Sequence, residues 1–200
     1  MATTRRYKSS IPDISLPSVP NKDWKDIKKI LCVDESLNDS GAALFIDGKY
    51  SPVLNGTNDV GLYLTSPRNA SQISKIISYD RWIRELLETL NPDIMACATL
   101  GVPYAEFSTN DVKMIMCGSA SATKDAVQLI LTGCGYTLPK YHGKDIINGN
   151  VCDAIAMGEV LCRMQRQELL RRDYAITVGQ GRPQTRQRIR STTKSQGEKT

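Results

Sequence analysis

Short apolar runs alternate with turn residues along the first part of this chain. Ile30 to Val33 is a continuous apolar run, which is typical of a buried strand. A second apolar run stops at Asp47-Gly48, a residue pair that favours a hairpin turn. The pattern predicts strands at about 28–34, 41–47, 49–54 and 61–64.

A longer amphipathic stretch follows these strands. Isoleucine and leucine recur at helical spacing up to Leu90, which predicts a helix with one apolar face. Asn69 or Ser71 would cap its start, and Pro92 would help to stop it. The apolar run Ile94 to Thr99 predicts a buried strand. We therefore expect a right-handed β-α-β crossover to a parallel neighbour of the first strand.

The second half of the chain mixes apolar segments with loops of small polar residues. It predicts strands at about 102–107 and 112–116, a helix at about 123–133 and a last helix from about 151. Small residues at 154–158 would let the last helix approach a sheet closely. The result is an α/β domain at 26–174, between a flexible arm at 1–25 and a disordered basic tail at 175–200.

Charge is distributed unevenly over the 200 residues, whose formal net charge is +5. Residues 163–200 contain ten Lys/Arg and three Asp/Glu, whereas residues 1–162 contain sixteen and eighteen. A near-neutral body with a basic tail indicates a polyanion partner, and arginines set among Gln, Thr and Gly favour nucleic acid over a merely solubilising tail. These arginines are Arg182, Arg186, Arg188 and Arg190.

Composition argues against several classes of protein. No apolar run reaches the roughly 18 residues of a membrane span, and polar, proline-containing sequence follows the basic N-terminus, unlike a signal peptide. The six cysteines lie among apolar neighbours and form no C-x-x-C pair. We expect them to be reduced core residues rather than metal ligands or disulfides. The expected location is intracellular, in the cytoplasm or nucleoid of a host cell, with no membrane partner.

Two aspartates lie at positions where an α/β sheet commonly binds ligands. Asp34 ends the first predicted strand at the mouth of a turn, and ligands of open α/β sheets bind at such strand ends. Asp153 lies in the first turn of the last helix and would face Asp34 across the sheet edge. Together they could hold a hard cation such as Mg²⁺, with Mn²⁺ as an alternative. The structural alternatives are a turn aspartate for Asp34 and a helix-dipole partner for Asp153.

Two lysines are candidates for binding a phosphate. Lys113 interrupts the predicted strand at 112–116, so its ammonium would emerge at a sheet edge. Lys124 opens a helix, where the dipole disfavours a cation, and a nearby phosphate would explain its presence. The structural alternative for each is a surface lysine with its stem on apolar neighbours. His142, the only histidine, lies in a Gly-rich loop and is expected to be a surface residue.

Four segments, taken in order, resemble RuvC-type Holliday junction resolvases, which have an RNase H-like fold. The resemblance runs from about Ile30 to Leu161 and leaves both ends uncovered. The segments are Asp34-Glu35-Ser36-Leu37 with Gly41; Asn91-Pro92-Asp93-Ile94-Met95-Ala96; the basic stretch from Val102-Pro103 through Glu106-Phe107 and Val112-Lys113 to Gly118-Ser119-Ala120 and Lys124; and Asn150 with Asp153-Ala154-Ile155-Ala156.

The resemblance implies an RNase H-like mixed sheet with flanking helices. It also implies Mg²⁺-dependent cleavage of four-way or branched DNA in recombination and repair, performed by a homodimer. In that scheme Asp34 and Asp153 are the metal ligands, Lys124 stabilises charge developing on the phosphate, and Lys113 positions the DNA backbone. The arginines of the tail add further DNA contacts.

This chain departs from the family pattern at two places. Ala98 stands where the family usually has a glutamate, and the stretch up to Val102 is too short for the helix that usually follows. Asn150 stands where the family often has Asp or His. Glu35 and Glu106 could substitute for the missing acid, but neither matches the motif. We interpret the chain as a viral or phage variant with a shortened and degenerate second-acid region.

Two other functions are compatible with these residues. A protein of the same fold could bind junctions without cutting them, which the alanine at 98 favours. An actin-like phosphotransferase is disfavoured, because the chain is too short for the two duplicated domains of that fold. Adding a labelled four-way junction with and without Mg²⁺ would separate the first two hypotheses, and ATP turnover would support the third.

Overall fold

A computed structural model describes residues 22–36, 38–52, 62–97, 104–105 and 109–180. The strands are β1 (Lys29–Asp34), β2 (Asp39–Ile46), β3 (Lys49–Tyr50), β4 (Leu62–Thr65), β5 (Ile94–Cys97) and β6 (Tyr104–Ala105). The helices are α1 (Gln72–Leu90), α2 (Thr109–Cys117), α3 (Lys124–Gly133) and α4 (Gly149–Gln180), and a 3₁₀ turn lies at Trp24–Asp26.

The strands form one mixed sheet with β1 at its centre. The order is β3-β2-β1-β5-β6, and β4 pairs with the beginning of β2 on the same side as β3. Strands β1 and β2 are antiparallel, whereas β1, β5 and β6 run parallel to one another. This is the predicted α/β class, a mixed sheet with flanking helices, and β5 is the predicted parallel neighbour of the first strand.

Helices cover both faces of the sheet, so alternate residues of the central strands enter two different cores. On one face, Leu31 and Leu44 pack with the α1 residues Leu86 and Leu90. On the other face, residues such as Phe45 pack with α2, α3 and α4. Burial on both sides explains why β1 and β2 are continuous apolar runs rather than alternating ones.

Helix α1 begins and ends where the sequence indicates. The Ser71 side chain accepts a hydrogen bond from the backbone N–H of Ser74, and Asn91 closes the helix in the left-handed conformation. Serine is a favoured N-cap and asparagine tolerates the left-handed region, so both ends follow from local chemistry. Of the two proposed caps, Ser71 is therefore the one used.

Helix α4 packs across the sheet at very close range. A Cβ atom added to Gly158 would collide with the ring of Phe45 in β2. The small residues predicted to allow this approach therefore lie at the contact between α4 and the sheet.

Within the described ranges, no helix has the length and the apolar composition that a membrane span requires.

Three predictions about the secondary structure and the limits of the domain differ from the structure. The segment 112–116 is part of helix α2 rather than a strand, because Val112 and Met116 are buried at helical spacing. Helix α4 continues to Gln180, beyond the predicted limit at about 175. Trp24 is buried although it falls in the predicted arm, and the Gln165 side chain donates to its carbonyl at 2.6 Å.

Several predicted features lie outside the described residues. They are most of the arm at 1–25, the end of the third strand, Gly61, Ala98, Val102, Glu106, Phe107 and the tail arginines Arg182, Arg186, Arg188 and Arg190.

Candidate metal and nucleic-acid site

The site forms where the end of β1 meets the beginning of α4. Asp34 is the last residue of β1 and pairs with Gly41 of β2. A Cβ atom at Gly41 would collide with the backbone of Asn150 and Val151. The absence of a side chain at this position therefore lets the first turn of α4 lie directly on the strands, which brings Asp153 towards Asp34.

Two asparagines hold the first turn of α4 in place. The Asn148 side-chain oxygen accepts a hydrogen bond from the backbone N–H of Val151 at 3.2 Å, in the manner of a helix cap. The Asn150 side-chain amide donates to the backbone carbonyl of Asp39 at 2.6 Å. This hydrogen bond from Asn150 fixes the start of α4 to β2.

The surroundings of the Asp34 carboxyl oppose its ionisation. Its pKa is raised from 3.8 to about 6, chiefly by burial and then by the charge of Asp153, while Lys124 lowers it and Glu35 adds a smaller upward effect. Gly41, which pairs with Asp34, lies against Asn150 and Val151, so Asp153 at the start of α4 is close enough for its charge to act on Asp34. An anionic pair of this kind is stabilised by any cation that reaches it.

Lys124 supplies one such cation. It is the first residue of α3, and its Nζ lies 2.8 Å from Oδ2 of Asp153. The side chain of Asp153 is 17% exposed and that of Lys124 is 55% exposed, so the ammonium covers the acid from the solvent side. Burial lowers the Lys124 pKa, but the hydrogen bond and charge of Asp153, together with Asp34, raise it overall.

Lys124 also donates to the Asn150 side-chain oxygen at 3.4 Å. The same amide group therefore contacts Lys124 through its oxygen and β2 through its nitrogen. Asn150 links the ammonium, the helix and the strand in one arrangement.

Glu35 stands at the edge of this cluster. The Tyr79 hydroxyl of α1 donates to its Oε1 at 2.8 Å, which fixes the carboxylate beside the end of β1. In the described part of the chain, no group of three or more His, Cys, Asp or Glu side chains is arranged to hold a metal ion. Two oxygen donors fit one Mg²⁺, which keeps several of its waters and takes one or two carboxylates from the protein.

The structure brings together some of the predicted site residues and separates others. Asp34, Asp153 and Lys124 meet at one place. Lys113 was expected at the edge of a strand, and this was wrong. It lies on α2, with the Cys117 thiol one helical turn away as its neighbour, because the apolar run that contains it is helical. His142 is exposed, and its backbone N–H donates to the Tyr63 hydroxyl at 2.9 Å.

Two tyrosines near the acids were not predicted from the sequence. Tyr79 holds Glu35 through its hydroxyl. Burial raises the pKa of Tyr141, as does the nearby charge of Asp39, while Lys124 lowers it. Both tyrosines reach the site from distant parts of the chain, so no local feature of the sequence identifies them.

Comparisons with known proteins give a likeness of fold. No family model matches the chain, and no curated protein matches it. Among solved structures, Thermus thermophilus RuvC is 15% identical, with a TM-score of 0.49 over 70% of this chain and 96% of that one. T. thermophilus RuvC in complex with a Holliday junction substrate is 14% identical, with a TM-score of 0.48 over 71% of this chain and 96% of that one. These similarities assign no role to any residue here.

Proposed function

We propose that this chain binds four-way or branched DNA and cuts it by Mg²⁺-dependent phosphodiester hydrolysis. The observation that carries the proposal is the close contact between the end of β1, which carries Asp34, and the start of α4, which carries Asp153, with Lys124 bound to Asp153. The branched substrate is suggested by the ordered set of segments that resemble RuvC-type resolvases.

The donor set suits a divalent cation. A carboxyl group whose pKa is raised by burial and by a second acid is unfavourable as an anion, and a bound cation would remove that cost. Asp34 and Asp153 would hold the ion, and Mg²⁺ or Mn²⁺ suits such oxygen ligands. When bound, the ion would supply charge stabilisation at the reacting phosphate.

Lys124 and Asn150 have separate tasks in this proposal. Lys124 would bind a non-bridging oxygen of the phosphate and stabilise the charge that develops on it. Its ammonium is half-exposed and already lies at the acids, so it needs only a small movement to reach a phosphate held there. Asn150 would keep α4 and Lys124 in register with β2.

Other parts of the proposal rest on the resemblance and on composition. They are the homodimer, the role in recombination and repair, the viral or phage source, and DNA contacts by Lys113 and the tail arginines. The division into an arm at 1–25, a domain at 26–174 and a tail at 175–200 is a prediction too, with Trp24 packed on the domain and α4 continuing to Gln180.

The proposal is tested with an end-labelled four-way junction and a linear duplex of matching sequence, each with Mg²⁺ or with EDTA. We expect the protein to prefer the junction in both conditions and to nick it only with Mg²⁺. Equal binding of both DNAs without nicking would contradict the proposal.

Binding without cleavage is the second candidate function. It is favoured because the described residues offer two clustered aspartates and no group of three or more metal-binding side chains, whereas two-metal cleavage needs ions about 3.5–4 Å apart. In the same assay, this candidate predicts a junction preference without nicks in Mg²⁺ or Mn²⁺.

A further inference from the structure

A groove opens beside the candidate site, between the sheet edge and the loop that precedes α4. We call it the side groove and define it by Asn38, Thr65, Arg68, Tyr141 and Lys144. Its volume is about 690 Å³. None of these residues belongs to the segments that resemble resolvases.

The side groove adjoins the site formed by Asp34, Asp153 and Lys124. Asp39 also lines it, and the backbone carbonyl of Asp39 accepts the hydrogen bond from Asn150. The Tyr141 hydroxyl is close enough to Asp39 and Lys124 for both charges to change its pKa. A ligand lying along the groove would therefore extend directly from the phosphate position proposed beside Lys124.

The walls of the side groove are braced by contacts on both sides. The Tyr63 and Tyr141 rings meet edge to face, with centroids 5.3 Å apart. The backbone N–H of Lys144 donates to the carbonyl of Tyr141 at 3.0 Å, and that of Ser66 donates to the carbonyl of Asn38 at 2.8 Å. A groove held by such contacts is formed before a ligand arrives, which lowers the ordering cost of binding.

The charges at the rim favour a polyanion. Arg68 and Lys144 are both exposed, and neither forms a salt bridge with a carboxylate of the described residues. Lys75 adds a third cation, since its Nζ donates to the Asn38 side-chain oxygen at 2.7 Å. Asp145, in the same loop, is already paired with Lys140, which leaves Asp39 as the acid that lines the groove.

We propose that the side groove binds the sugar-phosphate backbone of the DNA strand that flanks the cleaved phosphate. Arg68 and Lys144 would bind successive phosphates, while Tyr141 would pack against a sugar or base. This inference rests on the proposed function and specifies how its substrate is held. Arg68 and Lys144 would contact phosphates other than the one that is cut, and so would fix the register of the strand at Lys124.

The inference is tested by removing two positive charges from the groove and, in a control, two from elsewhere. The test protein is the double variant Arg68→Gln and Lys144→Gln. The control is Lys28→Gln and Arg171→Gln, which are exposed residues before β1 and on α4. All four positions lie on the surface, so both variants should melt at the wild-type temperature.

Binding of a labelled four-way junction is measured over a range of salt concentrations. A plot of log K against log salt has a negative slope, which should become shallower by about 0.9 for each phosphate that the protein no longer neutralises. The slope of the groove variant should therefore be shallower than that of the wild type by about 1.8, and the slope of the control should change by less. Ethylation of single phosphates then locates the contacts. Ethylating the phosphates beside the cleavage position should weaken the wild type and the control but have no further effect on the groove variant.

The possible results separate the two proposals. Wild-type binding with an unchanged slope and ethylation pattern in the groove variant would overturn the side-groove inference and leave the proposed function intact. Equal losses of affinity in both double variants would also overturn it, since they would indicate a general effect of charge. A wild-type protein that does not bind the junction at all would overturn both.

Discussion

Asp34 carries a charge that the folded chain disfavours. Its pKa rises from 3.8 to about 6 because it is buried and faces Asp153. The folded state therefore binds the Asp34 proton more tightly than the unfolded state does. This contribution to stability is fully present below about pH 4 and is lost as the pH rises through about 6.

Replacing Asp34 by Asn should therefore stabilise the metal-free protein at high pH. At pH 8 we expect the free energy of unfolding to increase by up to about 2–3 kcal/mol, since one pKa unit corresponds to about 1.4 kcal/mol. The difference between variant and wild type should shrink as the pH falls towards 4. Thermal melts in EDTA across this range measure it. A variant that is less stable than the wild type at pH 8 would contradict the environment assigned to Asp34.

Mg²⁺ should stabilise the wild-type protein through the same two carboxylates. Any ligand that binds only the folded state raises its stability by mass action, so the melting temperature at pH 8 should increase with Mg²⁺ and return to its starting value with EDTA. Asp153→Asn should lose most of this response, while Asp125→Asn, at an exposed residue next to Lys124, should keep it. Equal responses in the two variants would place the ion elsewhere.

The sequence alone identifies those site residues whose positions follow from their immediate neighbours in the chain. Asp34 follows a buried strand and Lys124 opens a helix, and both positions can be seen from neighbouring residues. Tyr141 and the fastening role of Asn150 could not be predicted, because each depends on contact with a distant strand. The carbonyl that Asn150 binds belongs to Asp39, which lies far away in the sequence.

At the scale of secondary structure, short segments are the hardest to assign to a helix or a strand from the sequence. Val112 to Met116 fits a buried strand or a buried helix equally well, since a short apolar run has no decisive period. The structure decides for the helix, in which Val112 and Met116, four residues apart, are both buried. The longer α1 was predicted well because its apolar face repeats over several turns and its caps are specific.

The contact between α4 and the sheet should be sensitive to one added methyl group. Gly41→Ala would push against the first turn of α4, and Gly158→Ala would push against Phe45. Overpacking of this kind costs about 1–3 kcal/mol or more. Gly133→Ala is the matched control, because nothing lies within 4 Å of the added Cβ. Chemical denaturation should show a lower free energy of unfolding for the first two variants and little change for the third.

Charge at the scale of the whole molecule is concentrated beyond α4. Residues 181–200 carry six Lys/Arg and one acid. Deleting them should weaken binding to linear and branched DNA alike and flatten the salt dependence, by about 0.9 for each phosphate that these residues neutralise. Cutting after Gln180 keeps the whole of α4. An unchanged salt slope would mean that this segment does not touch the DNA.

Symmetric cleavage of a four-way junction would require two sites related by a two-fold axis, which an isologous homodimer provides. Sedimentation of the protein alone and with the junction should therefore give two chains per complex. A single chain on each junction, with only one strand nicked, would contradict this expectation.

The most direct measurement is the rate at which a saturating amount of protein nicks a labelled four-way junction in Mg²⁺. The wild type, Asp34→Asn, Asp153→Asn and Asp125→Asn should be compared after their binding has been measured. We expect all four to bind, with the first two variants binding as tightly as the wild type or more tightly because they lose negative charge. Only the wild type and Asp125→Asn should cut. Cleavage at the wild-type rate by Asp34→Asn or Asp153→Asn would contradict the assignment of the two carboxylates.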